Sequence, residues 1–270
     1  MGQLLLLSRT RFLCYAYAAL EKRSEIVNGS ELILVCDCVH RNVIPAVVKQ
    51  QVLDSLKAAG RQVTVMADLC GMAASKDPIL TDLATAHNPV ILACHPRAVK
   101  WLLHAAGFDP LPTSLRLLNL RAQPVETILT QLGLPPASPI TYNQEPISTS
   151  PPLPPAPWSP WFPVIDYDRC VQCRQCVSFC PFGVYTVQEE RVLVAAPRNC
   201  KDNCPACARM CPQQAIIFPK AGETPIDGSE VGAIPRQAAQ LGNSTRDPAL
   251  DGGDIHAVLA KRKLKLKARS

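Results

Sequence analysis

Nowhere does this chain approach the roughly 20 consecutive apolar residues that a helix needs to cross a bilayer. Near its start the longest apolar run, Leu4 to Leu7, is soon interrupted by Arg9 and Arg11, and no small-residue cleavage site follows an apolar core, so no secretory leader is expected. No GxGxxG follows a strand-like run, which argues against a flavin or nicotinamide bound in this chain. Acidic residues are missing from the last ten positions, where Lys261, Arg262, Lys263, Lys265, Lys267 and Arg269 stand. The net charge of +6 comes from there, and the other 260 residues balance at 22 basic and 22 acidic groups. The tail has no interleaved aromatic residues and no nucleic-acid-binding fold around it, so a nucleic-acid partner is not expected. It reads as a partner-docking arm or a solvated end.

Cysteine, by contrast, is abundant. Thirteen cysteines in 270 residues, without a secretory leader, point to a reducing, cytoplasmic setting in which thiolates serve metals better than disulfides. Eight of them lie between positions 170 and 211, as Cys170-x2-Cys173-x2-Cys176-x3-Cys180-Pro181 and Cys200-x3-Cys204-x2-Cys207-x3-Cys211-Pro212. Three thiolates at such spacing wrap one corner of an iron–sulfur cube, and the fourth of each run, followed by proline, turns away to the other cube. Crossed ligation follows: Cys170, Cys173, Cys176 and Cys211 for a first cluster, Cys180, Cys200, Cys204 and Cys207 for a second. A zinc site or a disulfide framework is the competing reading.

On these motifs residues 161–219 resemble a bacterial-type dicluster ferredoxin domain with two [4Fe-4S] clusters. Val164-Ile165-Asp166-Tyr167 and Ala215-Ile216-Ile217-Phe218 flank the runs as repeat-related strands, with Phe182 to Val187 and Val192 to Val194 between them. One departure is the extra residue between Cys200 and Cys204, which bears on the second cluster's exposure and potential. Freely diffusing ferredoxins of this kind are typically acidic. The near-neutral charge of residues 161–219 suits a docked subunit better.

Upstream, strand and helix patterns alternate. Leu32 to Cys36, Gln62 to Ala67, Pro89 to Ala93 and Leu115 to Leu120 read as strands. Ile44 to Ala59, Asp77 to His87 and Arg97 to Ala106 read as helices. The expectation is α/β, a small flavodoxin-like or Rossmann-like parallel-sheet domain, followed by the α+β ferredoxin-like domain. Cys36, Cys38, Cys70 and Cys94 all fall at the carboxyl edge of that sheet, where a doubly wound order opens its crevice. A second and weaker resemblance rests on Val35-Cys36-Asp37-Cys38, Asp68-Leu69-Cys70-Gly71, Ile91 to Arg97 and Ala106-Gly107-Phe108. It is to the N-terminal domain of the flavin-carrying subunit of heterodisulfide reductase, and it implies a third iron–sulfur cluster at Cys36, Cys38, Cys70 and Cys94. A zinc or other thiolate site, or reduced structural thiols, are the readings left beside it. His40, His87 and His95 read as surface or satisfied polar groups.

The expected organisation is an N-terminal extension (1–30, where Cys14 reads as a buried small apolar residue), an α/β domain (31–133), a linker (134–160), the ferredoxin domain (161–219) and an irregular, basic tail (220–270). Eleven of the chain's 26 prolines lie in residues 134–163, which favours an extended, semi-rigid spacer. Trp158, Trp161 and Phe162 are expected to anchor its end on the ferredoxin domain. Functionally the chain reads as an electron-transfer subunit that serves a redox protein partner, a flavoprotein or reductase subunit. The alternative is a reductase with its own active site at the four upstream cysteines.

Overall fold

The computed structural model describes residues 31–136 and 158–232. The readings of Cys14, of most of the proline-rich stretch and of the basic tail lie outside these residues. Four short strands form a parallel sheet in the order β2-β1-β3-β4: β1 (Ile33–Cys36), β2 (Val63–Met66), β3 (Val90–Ala93) and β4 (Arg116–Asn119). Ile33 sits opposite Val63 on one side and Val90 on the other, and Val90 opposite Arg116. The two inner strands, Ile-Leu-Val-Cys and Val-Ile-Leu-Ala, are buried along their whole length, as continuous apolar runs covered on both faces must be.

Two helix pairs supply that cover. Helix α1 (Ala46–Ala58), which starts after Pro45 and buries Val52, Leu53 and Leu56, packs with α4 (Val125–Gln131). Helix α2 (Leu69–Ser75) packs with α3 (Pro96–Ala106). Right-handed crossovers leaving β1 and β3 in opposite directions put the pairs on opposite faces. Proline at the first position and Gly107, at φ +108°, set the ends of α3. Where a helix was expected over 77–87, a tight 3-10 segment runs over Pro78–Ala84. The Thr81 and Thr85 hydroxyls bond to the carbonyls of Pro78 and Asp82, a local competition that disfavours a regular helix.

The cysteine-rich half carries α5 (Gln175–Phe179) and α6 (Ala206–Met210), and two antiparallel pairs. These are β5 (Val164–Ile165) with β8 (Ile216–Ile217), and β6 (Tyr185–Gln188) with β7 (Arg191–Val194). The β5–β8 pair is a wall between two cores. Val164 and its partner Ile217 join the core of the parallel-sheet half together with Phe162. Ile165 and Ile216, one residue along and therefore facing the other way, join Trp161 and Phe218 on the cysteine-rich side. Of the three aromatic residues expected to anchor on the ferredoxin domain, Trp161 does so by stacking on Phe218 and Trp158 by taking the Arg198 guanidinium over its ring at 4.8 Å, while Trp158 also stacks on Phe162 and both of these pack against the parallel-sheet core.

Polar contacts bolt the same seam. The Arg97 Nε donates to Asp166 Oδ2 at 2.7 Å, and its other nitrogens donate to the carbonyls of Gln214 and Pro225. The irregular segment 219–228 is draped across the parallel-sheet half. Its Asp227 accepts from His95 and pairs with Arg121, each at 3.2 Å, and Arg121 also donates to the carbonyls of Pro219 and Ala221. Among the described residues no helix is long and apolar enough to cross a membrane.

Candidate metal centres

The two cysteine runs fold as copies of one device. In the first, Gln172 and Arg174 take left-handed backbone angles, and in the second Asn203 does. Cys176 lies in α5 and Cys207 in α6, each one turn before its helix ends. Cys180 and Cys211 close those helices with extended backbone, ψ 113° and 111°. That turn carries the fourth thiol of each run out of its own loop, and α5 packs on α6.

The electrostatic neighbours show where the thiols go. Burial pushes the Cys176 thiol up to about 12, and the thiols that add to this most are Cys170, Cys211 and Cys173. Burial likewise pushes Cys200 up to about 12, with Cys207, Cys204 and Cys180 adding to it. Around Cys176, then, stand Cys170 and Cys173 of its own run and Cys211 of the other, with Cys207 a smaller influence, and around Cys200 stand Cys207 and Cys204 of its own run and Cys180 of the other. Cys170, Cys173, Cys176 and Cys211 also line one cavity, together with Cys207 of the second run and with Ile165 and Ile216. Tyr185, itself buried, donates its hydroxyl to Cys207 Sγ at 3.1 Å, and the Ala215 amide donates to Cys211 Sγ at 3.4 Å. Crowded thiols that resist ionisation on their own become thiolates when cationic iron replaces their protons, so the donor set fits an iron–sulfur group.

The four upstream cysteines are also brought together. Cys36 ends β1, Cys38 follows in a left-handed turn (φ +55°), Cys70 opens α2 after β2, and Cys94 follows β3. All four are buried, 5–7% exposed. They crowd the carboxyl edge where β1 and β3 meet and the strand order reverses, the place for a ligand in an open α/β sheet. Burial, followed by the charge of Cys38, raises Cys36, and the same two causes push Cys94 up to about 12. Cys70 is raised well above the usual thiol range by burial, then by Asp68, with Cys94 and Cys38 adding smaller parts. Among the described residues no three Cys, His, Asp or Glu side chains are drawn tightly enough to share a single metal ion.

Charged groups that sequence reasoning missed complete this edge. Asp68 caps α2, accepting from the Gly71 amide at 2.9 Å, and pairs with the Lys220 ammonium at 2.6 Å, side chains 5% and 3% exposed. Lys49 pairs with Asp37, between Cys36 and Cys38. An Asp directly before Leu69-Cys70-Gly71 is a recognisable helix cap, whereas Lys220, 152 residues away, leaves no local pattern. His95 is buried as expected of a satisfied polar group, between Asn119 and Asp227. Three residues beyond Cys38, Arg41 reaches Asp202 at 2.6 Å, inside the longer spacing from Cys200 to Cys204, and stacks over Trp161.

A family model for a 4Fe-4S binding domain matches residues 162–185. Over 56 residues the chain is 52% identical to an uncharacterized ferredoxin of Methanocaldococcus jannaschii, a match that covers 20% of this chain and 38% of that protein. Over 54 residues it is 41% identical to a ferredoxin of Methanothermococcus thermolithotrophicus, covering 19% of this chain and 88% of the relative. A second uncharacterized ferredoxin of M. jannaschii is 37% identical over 54 residues, 86% of its length.

Proposed function

We propose, for a chain that belongs to the ferredoxins through its cysteine-rich module, that it is an electron-transfer subunit carrying three [4Fe-4S] clusters. Cys170, Cys173, Cys176 and Cys211 hold the first, Cys180, Cys200, Cys204 and Cys207 the second, and Cys36, Cys38, Cys70 and Cys94 the third. When bound, each cluster takes up and releases one electron at a potential set by its charge, hydrogen bonds and exposure. The observation that carries this reading is that four cysteines of the parallel-sheet half, Cys36, Cys38, Cys70 and Cys94, are gathered at one buried sheet edge in a chain whose other half carries the two cysteine runs. The Arg41–Asp202 contact joins the loop after Cys38 to the loop of the second quartet, so the second cluster is the neighbour of the third. With the upstream cysteines 5–7% exposed, a relay fits better than a reductase site that must admit substrate. The partner is a flavoprotein or reductase subunit of a heterodisulfide-reductase-like complex, and the exposed Val171, Phe179, Phe182 and Met210 around the cysteine loops supply an apolar face for it.

Iron and acid-labile sulfide per anaerobically purified chain test the count. About 12 irons are expected, falling to about 8 when Cys36 and Cys94 are replaced by serine. About 8 irons in the unaltered chain would remove the third cluster. A further outcome concerns Tyr185. Its hydroxyl stabilises negative charge on Cys207, so Tyr185→Phe is expected to lower the second cluster's potential by about 20–60 mV, one hydrogen bond's difference of about 0.5–1.4 kcal/mol expressed for one electron. An unchanged potential in a redox titration followed by paramagnetic resonance would show that the bond does not tune the cluster.

A further inference from the structure

Lys220 is a costly residue to place where it stands. It follows directly on Phe218-Pro219, beyond the last strand of the ferredoxin half, yet its side chain is 3% exposed and lies inside the parallel-sheet half. An ammonium has three N–H donors, and buried donors are normally all engaged. Among the described residues the one hydrogen-bond partner of Lys220 is Asp68, at 2.6 Å. Cys70 and Cys38 are the other ionisable groups coupled to it, and Lys220 in turn lowers the cost of ionising both. Burial alone would lower the Lys220 pKa, but Cys70 and Asp68 reverse this and raise it. A buried ion pair is seldom a net source of stability, and Asp68 already caps α2 through the Gly71 amide, a role that needs no lysine brought from the far end of the fold. Asp68 stands two residues before Cys70 and caps the helix that carries it, and Cys70 and Cys38 are near enough to act on the ammonium electrostatically, so Lys220 stands where a cation lowers the free energy of a negatively charged metal–thiolate group.

We propose that Lys220 is the counter-charge and hydrogen-bond donor of the Cys36, Cys38, Cys70 and Cys94 site, supplied by the segment that follows the ferredoxin module. The site is complete only when that segment is docked, because neither Lys220 nor its approach belongs to the half that carries the thiols. This rests on the third-cluster reading above and adds to it a positioning residue and a sign. A cation beside the cluster favours the more negative, reduced state, and the extra electron strengthens the hold of Lys220 on the site.

The test is a redox titration of the full chain, following the paramagnetic signal that disappears in Cys36→Ser. Lys220→Gln keeps a donor for Asp68 and removes the charge. It is expected to leave the site about tenfold less reduced at a fixed potential, a fall of about 59 mV for one electron, with both ferredoxin signals unmoved and Lys220→Arg at the unaltered value. Full iron content with no shift in Lys220→Gln would overturn the proposal. If Lys220→Gln lacks the third cluster, its retention in Lys220→Arg supports the role of charge, and its loss from both overturns it. Should Lys220→Gln not accumulate, Asp68→Asn is the opposite arm. It is expected to raise the potential by a similar factor, and an unchanged value would count against the proposal. About 8 irons in the unaltered chain would defeat the third-cluster reading itself, and the role of Lys220 with it, before any variant is compared.

Discussion

Replacing Arg97 with alanine is expected to destabilise the chain by about 3–5 kcal/mol, the usual result of leaving one member of a buried ion pair without its partner. The side chains of Arg97 and Asp166 are 11% and 5% exposed, and the Asp166 carboxylate would be left accepting from the Asp168 amide of its own turn. The same substitution removes the bonds to the carbonyls of Gln214 and Pro225, so three separate segments of the cysteine-rich half lose their anchor on α3. For a chain of this size the thermal midpoint should fall on the order of 10 °C. Lys100→Ala is the contrast. Its pair with Asp168 is 43% and 69% exposed, and such pairs contribute about 0–1 kcal/mol. Equal, small effects from both variants would mean that the apolar wall alone joins the halves.

The second large effect is expected at Gly228. Its φ is +92°, and a Cβ there would stand 2.5 Å from the Ala98 Cβ and 3.0 and 3.1 Å from the Ala98 N and Cα. These are atoms in the first turn of α3, where the backbone has no room to yield. Gly228→Val should cost about 1–3 kcal/mol in overpacking and about 1–2 kcal/mol more for a side chain in a left-handed conformation. The cheaper outcome for the molecule is to release the segment, breaking the Asp227 contacts with His95 and Arg121 and withdrawing Lys220 from Asp68. Protease cleavage within residues 219–232 should then appear, with the ferredoxin iron retained. Gly222→Val, at a position with nothing within 4 Å of the added carbon, should leave cleavage unchanged. Protection in Gly228→Val equal to that of the unaltered chain would show that the segment tolerates the added bulk.

What the sequence made legible was whatever depends on short spacing. The cysteine runs could be read because a cluster corner needs thiolates at fixed local intervals. The inner strands could be read because burial on both faces demands unbroken apolar runs such as Leu32 to Cys36. The parallel sheet followed from alternation, and the place of β1 between β2 and β3 from the doubly wound order it implied. Short elements were lost. Helix α2 has seven residues with Gly71 inside it, and α4 has seven after Pro124, too few to display a helical period. The segment over Pro78–Ala84 showed helical composition, but its threonines turn their hydroxyls back onto the chain. Pairs between distant positions were invisible for another reason. Arg97 with Asp166 and Lys220 with Asp68 lie 69 and 152 residues apart, and nothing in a local window records that a buried charge will find its partner.

The β5–β8 wall has a consequence for anyone who would treat the cysteine-rich half as a portable part. A free-standing ferredoxin needs water-compatible side chains on the outside of its terminal strand pair. Here Phe162, Val164 and Ile217 fill that outside and are 5%, 1% and 0% exposed because the other half covers them. Excising residues 158–232 would bare an oily strip along one face of the strand pair, the kind of surface that drives self-association. A soluble miniature would need Val164 and Ile217 exchanged for polar, strand-compatible residues such as threonine, while Ile165 and Ile216 stayed as they are.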